Sequence, residues 1–353
     1  MSESNQSSMR SRRNLLAWVL MAVAVAVLAL PAVPVLVGDW SQAAVAADQT
    51  NPRANYWRAV REGQAGYTAV RGQETDVLIQ GTGQIWREIR NGPVVTYGAW
   101  VLAAVILALG LFHLIFGPAR LAEPRSGVTV ERWSLFDRTL HWFVAMAFIV
   151  LALTGLSLLY GRAVLIPVMG HEAFAAYADL AKDTHNYIGP AFAVALLVML
   201  LMGIKDSLFT RVDWEWVKQG GGYFGKGRHP HAYKVNAGEK LWFWALLLFG
   251  IGISITGLFL DFPNLGWDRA TMQFANVIHA VLGILLIAFS LGHIYLGTIG
   301  NEGTFEGMVS GTVDEVWARQ HHDLWLEEVK TKQGATTARG AVGEQTMPGG
   351  QPT

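Results

Sequence analysis

Residues 274–297, FANVIHAVLGILLIAFSLGHIYLG, decide how the rest of this chain is read. The stretch is long and apolar enough to cross a bilayer as a helix. It carries His279 and His293, fourteen residues apart. Fourteen residues are roughly 21 Å of helix axis, and at about 100° per residue they fall about 40° short of four full turns. Both imidazoles therefore lie on nearly the same face, one near each end of the span. An ionisable side chain inside a span marks a functional site by default, so the question becomes what each histidine meets.

Composition supports a membrane setting. The chain has 353 residues, is 52% hydrophobic, and has zero formal net charge. Its charged residues cluster between long apolar runs, as in polytopic membrane proteins. Zero net charge gives no argument for nucleic-acid binding, and none is expected. There is no cysteine. That excludes disulfides, thiolate metal sites, cysteine-ligated iron–sulfur clusters and a covalently attached haem.

Working outward, residues 1–47 follow the order of a secretory signal: Arg10, Arg12 and Arg13, an apolar run from Leu15 to about Val37, then small residues ending at Ala47. The apolar run is long for a signal core, so a signal peptide and an uncleaved anchor both remain open. Residues 48–93 read as a polar exported segment of weak structure, either a docking segment or a solvated linker. Residues 94–117 form a first span, ended by Gly117-Pro118. Further spans are expected at about Thr139–Tyr160, Thr184–Ile204 and Leu241–Leu260, before the span quoted above. A polar segment, 301–330, includes a short helix over Val313–Lys330. A Gly/Thr/Gln-rich tail, 331–353, is expected to be disordered. The loops 117–138 and 205–240 and the C-terminal segment hold most of the Lys and Arg, which assigns them and the C-terminus to the cytoplasm.

This topology gives every histidine a depth. His185 and His279 fall near the exported side, His141 and His293 near the cytoplasmic side. Each pair joins different helices, as an iron held between two imidazoles requires. Interhelical hydrogen bonding is the alternative for any one of them. Without cysteine such a haem is b-type, and two pairs imply two haems. His113, near the cytoplasmic end of the first span, is an alternative ligand, but no unassigned histidine shares its depth. His171, His229, His231, His321 and His322 read as surface residues without a special role. Gly155, Gly189, Gly283, Gly292 and Gly297 leave room for a flat macrocycle or for close helix contact. Arg138 reads as a topology determinant or a propionate partner. Gly220–Gly227 matches G-x-x-x-x-G-K, but Gly follows where Ser or Thr is needed and no βαβ unit surrounds it, so it reads as a loop.

Phe136-Asp-Arg-x-x-His141-Trp, His185 shortly before Gly189, Lys234-Val-Asn236-Ala-Gly238-Glu239-Lys240, and the His279…His293 span ending in His-Ile-Tyr resemble the gamma subunit of respiratory formate dehydrogenases. So does Gly-Met-Val-Ser-Gly…Trp317-Ala-Arg…His321-His322…Trp325. The resemblance covers about residues 130–330. It implies an all-α integral membrane protein: a four-helix di-haem cytochrome b bundle over 130–300, here with an extra N-terminal transmembrane helix. The implied haem ligands are His185 and His279 on the periplasmic side, and His141 and His293 on the cytoplasmic side. A quinone site is implied at Asn236, Gly238 and Glu239 with His293. The implied partners are an iron–sulfur beta subunit and a catalytic alpha subunit on which formate is oxidised, in a higher oligomer of the complex in the inner membrane. Physically, Asn236 and the Gly238 N–H can donate to a quinone carbonyl and Glu239 can relay a proton. A turn capping the span at Leu241–Leu260 is the alternative reading of Asn236 and Gly238. The family carries Gln where Glu239 stands, and lacks the first roughly 110 residues. The four-histidine set is shared with cytochrome b subunits of nickel–iron hydrogenases; a non-redox anchor and a transporter are further alternatives.

Overall fold

A computed structural model describes Arg58 and residues 81–223 and 229–333. The signal-like segment 1–47, most of the segment 48–93, nearly all of the tail 331–353 and residues 224–228 of the glycine-rich loop lie outside the described residues.

In lipid a backbone can satisfy its N–H and C=O groups only within its own segment or a closed barrel, so the apolar runs fold as helices. Among the described residues five helices are long and apolar enough to cross a membrane: Gly83–Phe116, Leu135–Val164, Ile166–Gly203, Ala237–Asp261 and Arg269–Gly300. The first is assembled from α1 (Gly81–Ile89), a wide π turn (Arg90–Val94) and α2 (Val95–Phe116). Pro93 lies inside that turn and has no N–H to give to the ladder; the wider turn absorbs the missing bond. The next elements are β1 (Thr129–Glu131), α3 (Leu135–Val164), α4 (Ile166–Gly203), α5 (Arg211–Lys218), α6 (Ala237–Asp261) and α7 (Arg269–Tyr295). After a second π turn (Leu296–Gly300) come α8 (Thr304–Val309), β2 (Thr312–Asp314) and α9 (Glu315–His321). β1 and β2 pair antiparallel, Val130 opposite Val313.

Three expectations change. The helix that leads into the first span begins at Gly81, so the end of the polar segment is helical. The stretch 161–183, read as a loop, belongs mostly to α4, with one break at Gly170 (φ 80°). At about 1.5 Å per residue its 38 residues run about 57 Å, nearly twice the hydrocarbon thickness. The helix persists because it packs on α3: a Cβ on Gly161 would meet the Phe174 ring at 2.3 Å, and the Tyr177 and Ser157 hydroxyls lie 2.8 Å apart. Finally, the helix expected over Val313–Lys330 is divided into β2, α9 and a further helix over residues 323–333.

The described residues divide into two compact units. One comprises residues up to Ile115, His141–Val198 and Ala245–Ile294. Its core includes Val94, Leu102, Ile284 and Ala288, so α2 is part of the packing. The other comprises Phe116–Leu140, Met199–Trp244 and the residues from Tyr295 on. There Val313, Trp317, Ala318, Trp325 and Leu326 form a core of their own.

Candidate functional site

Four histidines of the first unit meet in two pairs. The rings of His185 (α4) and His279 (α7) have centroids 6.0 Å apart, and those of His141 (α3) and His293 (α7) lie 6.2 Å apart. A metal–imidazole bond is about 2 Å and the ring centre lies about 1.1 Å beyond the nitrogen, so two imidazoles on opposite sides of one iron hold their centroids about 6 Å apart. Both separations match that spacing.

Hydrogen bonds fix the tautomers of the first pair. The Thr154 hydroxyl donates to the Val150 carbonyl at 2.8 Å, so its oxygen accepts from His185 Nδ1, also at 2.8 Å. His279 Nδ1 lies 3.1 Å from the Ile253 carbonyl and 3.2 Å from Thr256 Oγ1. The Thr256 hydroxyl is itself committed to the Gly252 carbonyl. Both Nδ1 atoms therefore carry the proton and both Nε2 atoms keep the lone pair that a metal takes. Each threonine is followed by a glycine against the imidazole: a Cβ on Gly155 would lie 3.3 Å from His185 Cε1, and one on Gly257 3.0 Å from His279 Cε1. Thr154, Thr256 and Gly257 were missed in the sequence. The available signal was the Thr-Gly dipeptide repeated on α3 and α6.

His185 and His279 project into a cavity of about 430 Å³ that Gly189 and Gly283 also line. A Cβ on Gly189 would touch nothing, which leaves open space at that wall. A flat macrocycle with axial imidazoles fits this cavity in donor chemistry and spacing. In the second pair His141 Nδ1 is buried without a hydrogen-bond partner among the described residues.

Asn236, Gly238 and Glu239 belong to the second unit and build the N-terminus of α6. Asn236 Oδ1 accepts from the Glu239 N–H (3.0 Å), and Glu239 Oε2 accepts from the Asn236 N–H (2.9 Å), a reciprocal cap. The Asn236 side-chain amide nitrogen stays unengaged among the described residues. A Cβ on Gly238 would press on Trp216 at 2.9 Å. Glu239 also accepts from Arg132 Nη2 at 2.8 and 3.1 Å, and the same nitrogen reaches the Lys234 carbonyl at 2.9 Å. Arg132 lies over the Trp133 and Trp317 rings at 5.3 and 4.9 Å. Next along α6, Lys240 pairs with Asp213 at 2.8 Å, both buried.

His322 was read as a surface residue and is 1% exposed. Its Nδ1 lies 2.7 Å from the Tyr233 carbonyl, so Nδ1 donates and Nε2 accepts from Arg132 Nη2 at 3.1 Å. Burial, reinforced by the Arg132 charge, pushes His322 down to about 4. His321 is likewise not a free surface residue: its ring stands 4.5 Å from that of His229, and burial pushes it down to about 3. His231 is exposed and pairs with Asp323, which raises it. His171 is exposed on α4, and His113 lies on α2 outside both histidine pairs. Arg138 donates to the Val309 carbonyl at 2.6 Å. The glycine-rich stretch opens with a turn at Gly220–Gly222, all at positive φ, between no strand and helix of a phosphate-binding kind among the described residues.

Residues 132–311 match the model of the family described as prokaryotic cytochrome b561. The chain is 26% identical over 205 residues to the nitrate-inducible formate dehydrogenase cytochrome b556(Fdn) subunit of Escherichia coli K12, covering 57% of this chain and 92% of that one. It is 27% identical over 205 residues to the formate dehydrogenase cytochrome b556(fdo) subunit of the same bacterium, covering 57% and 94%. Against the formate dehydrogenase cytochrome b556 subunit of Haemophilus influenzae it is 25% identical over 201 residues, covering 55% and 82%. Both α1 and α2 lie ahead of the matched region. With just over half of its length matched, and with five apolar helices, the chain belongs to the prokaryotic cytochrome b561 family of multi-pass membrane proteins that carry haem b.

Proposed function

We propose that this chain is the membrane cytochrome b subunit of a formate dehydrogenase, carrying electrons from a periplasmic iron–sulfur subunit through two b haems to quinone near the cytoplasmic side of the inner membrane. The observation that carries the reading is the pair of facing histidine pairs at the spacing of a doubly ligated iron. The names of the relatives support the choice of complex. Haem b, when bound, supplies a one-electron iron centre. Thr154, Thr256 and the Ile253 carbonyl hold the outer pair in the ligating tautomer, and α7 contributes one ligand at each level. The formate-oxidising chemistry belongs to a catalytic subunit, since this chain has no cysteine to hold iron–sulfur clusters. The C-terminus lies in the cytoplasm, a placement the clustering of Lys and Arg in the loops supports, and the complex assembles as a higher oligomer.

Quinone binds at the turn of Asn236, Gly238 and Glu239 and receives its electrons from the His141/His293 haem. Asn236 offers its free amide nitrogen, and Gly238 one of the first N–H groups of α6, which have no intrahelical acceptor. The two oxygens of Glu239 already accept from Arg132 and the Asn236 N–H, so Glu239 shapes the turn and takes part in proton delivery only if that pair opens.

The deciding experiment is purification of the intact complex from native membranes, with identification of its subunits and a pyridine haemochrome assay. Two low-spin b haems per copy of this chain are expected, together with a catalytic and an iron–sulfur subunit. In His293→Ala one haem and quinone reduction should disappear together. Quinone reduction at the normal rate in that variant would refute the proposal.

A further inference from the structure

The His185–His279 cavity has a wall that the matched family region does not include. Arg90, in the π turn between α1 and α2, lines the cavity together with residues of α3, α4, α6 and α7. Several contacts hold this wall in place. Trp86 Nε1 donates to Asn276 Oδ1 at 3.1 Å, and Asn276 itself lines the cavity. The Tyr160 hydroxyl donates to the Val95 carbonyl at 3.0 Å. A Cβ on Gly98 would lie 2.3 Å from Ile284 Cδ1, so the Ile284 side chain of α7 packs directly on the α2 backbone.

The Arg90 guanidinium is half-buried and under-used. A guanidinium has five N–H donors. Here Nη1 donates to Asn91 Oδ1 at 2.9 Å and Nη2 reaches the Leu158 carbonyl at 3.5 Å, the outer limit of a hydrogen bond. No carboxylate pairs with it among the described residues. Charged groups lining the cavity are Arg90, Lys182 and Asp261, two cations against one anion. A cation part-way out of water is costly unless an anion joins it, and a planar fork suits a carboxylate best.

We infer that Arg90 pairs with a propionate of the haem b held by His185 and His279, so that the N-terminal helix, absent from the matched family region, completes the pocket and sets the potential of that haem. This rests on the haem assignment proposed above. A fixed positive charge beside the macrocycle favours the reduced, more negative state. Removing it makes reduction harder.

The test is potentiometric titration of the full-length chain in its complex, with haem content measured in parallel. His279→Ala identifies which of the two transitions belongs to this pocket. In Arg90→Gln that transition should move to lower potential by roughly tenfold in the reduction equilibrium, about 59 mV for one electron. The other transition should stay in place, and Arg90→Lys should recover most of the shift. If Arg90→Gln and Arg90→Ala retain both haems at unshifted potentials, the Arg90 assignment is overturned while the haem ligands stand. If His279→Ala leaves both haems unchanged, the haem assignment falls and this inference with it.

Discussion

At the scale of single residues, the determinant of ligand quality is the group behind the imidazole. A histidine ligates through one nitrogen only when the other is held as a donor. Behind His185 stand Thr154 and the Leu151 carbonyl, and behind His279 stand Thr256 and the Ile253 carbonyl. Thr154→Val keeps the shape and removes the side-chain acceptor. It should weaken haem retention at that pair by about 10–100-fold and raise that haem's midpoint potential, because the imidazole becomes a poorer donor to ferric iron. Haem-to-protein ratio and redox titration check both effects. Thr256→Val should act in the same direction, since a backbone carbonyl remains behind each imidazole. Sequence spacing was enough to single out the four histidines; it could not reveal the threonines, which approach from other helices at a separation of 23 or 31 residues.

Individual elements are decided by how closely they pack. Hydropathy marks a span but not which side chains must be absent from it. Gly98 on α2 faces Ile284 and Tyr160 at distances no Cβ can share, while Gly110, on the same helix, faces open space. Gly98→Val should therefore destabilise the first unit by about 1–3 kcal/mol, and Gly110→Ala should be close to neutral. Thermal unfolding of the detergent-solubilised protein separates the two. The same reasoning explains where the sequence reading of elements failed. The polar residues of 161–183 looked like a loop because the expected period of a span was lost. The helix is set by Phe174 and Tyr177 docking on α3, a contact invisible to local pattern. Likewise the stretch from Val313 looked continuously helical until its first residues found β1 to pair with.

For the molecule as a whole, acid sensitivity should originate in the second unit. His322 is buried and neutral, with its folded value about 4 against an ordinary 6.5. The unfolded chain binds that proton more readily, so the stabilisation is present above about 6.5 and is lost as pH falls toward 4. His231 shifts the opposite way, but it is 76% exposed and its ion pair is screened, so it offsets little. Melting temperature should fall between pH 7 and pH 5, and His322→Gln, which keeps an acceptor for Arg132, should flatten that slope. An unchanged slope in the variant would show that other groups dominate. Composition and hydropathy were sufficient for the membrane class and the five spans, and the fourteen-residue interval placed His279 and His293 on one face of α7, because those features depend on period and length along one helix. Tertiary structure alone decided that threonines stand behind the outer imidazoles, that Glu239 is bound to Arg132 and a helix cap, that His322 is buried, and that the N-terminal helix lends Arg90 to a cavity. Each of these depends on groups distant in the chain being brought within a few ångströms, and no local pattern encodes that distance.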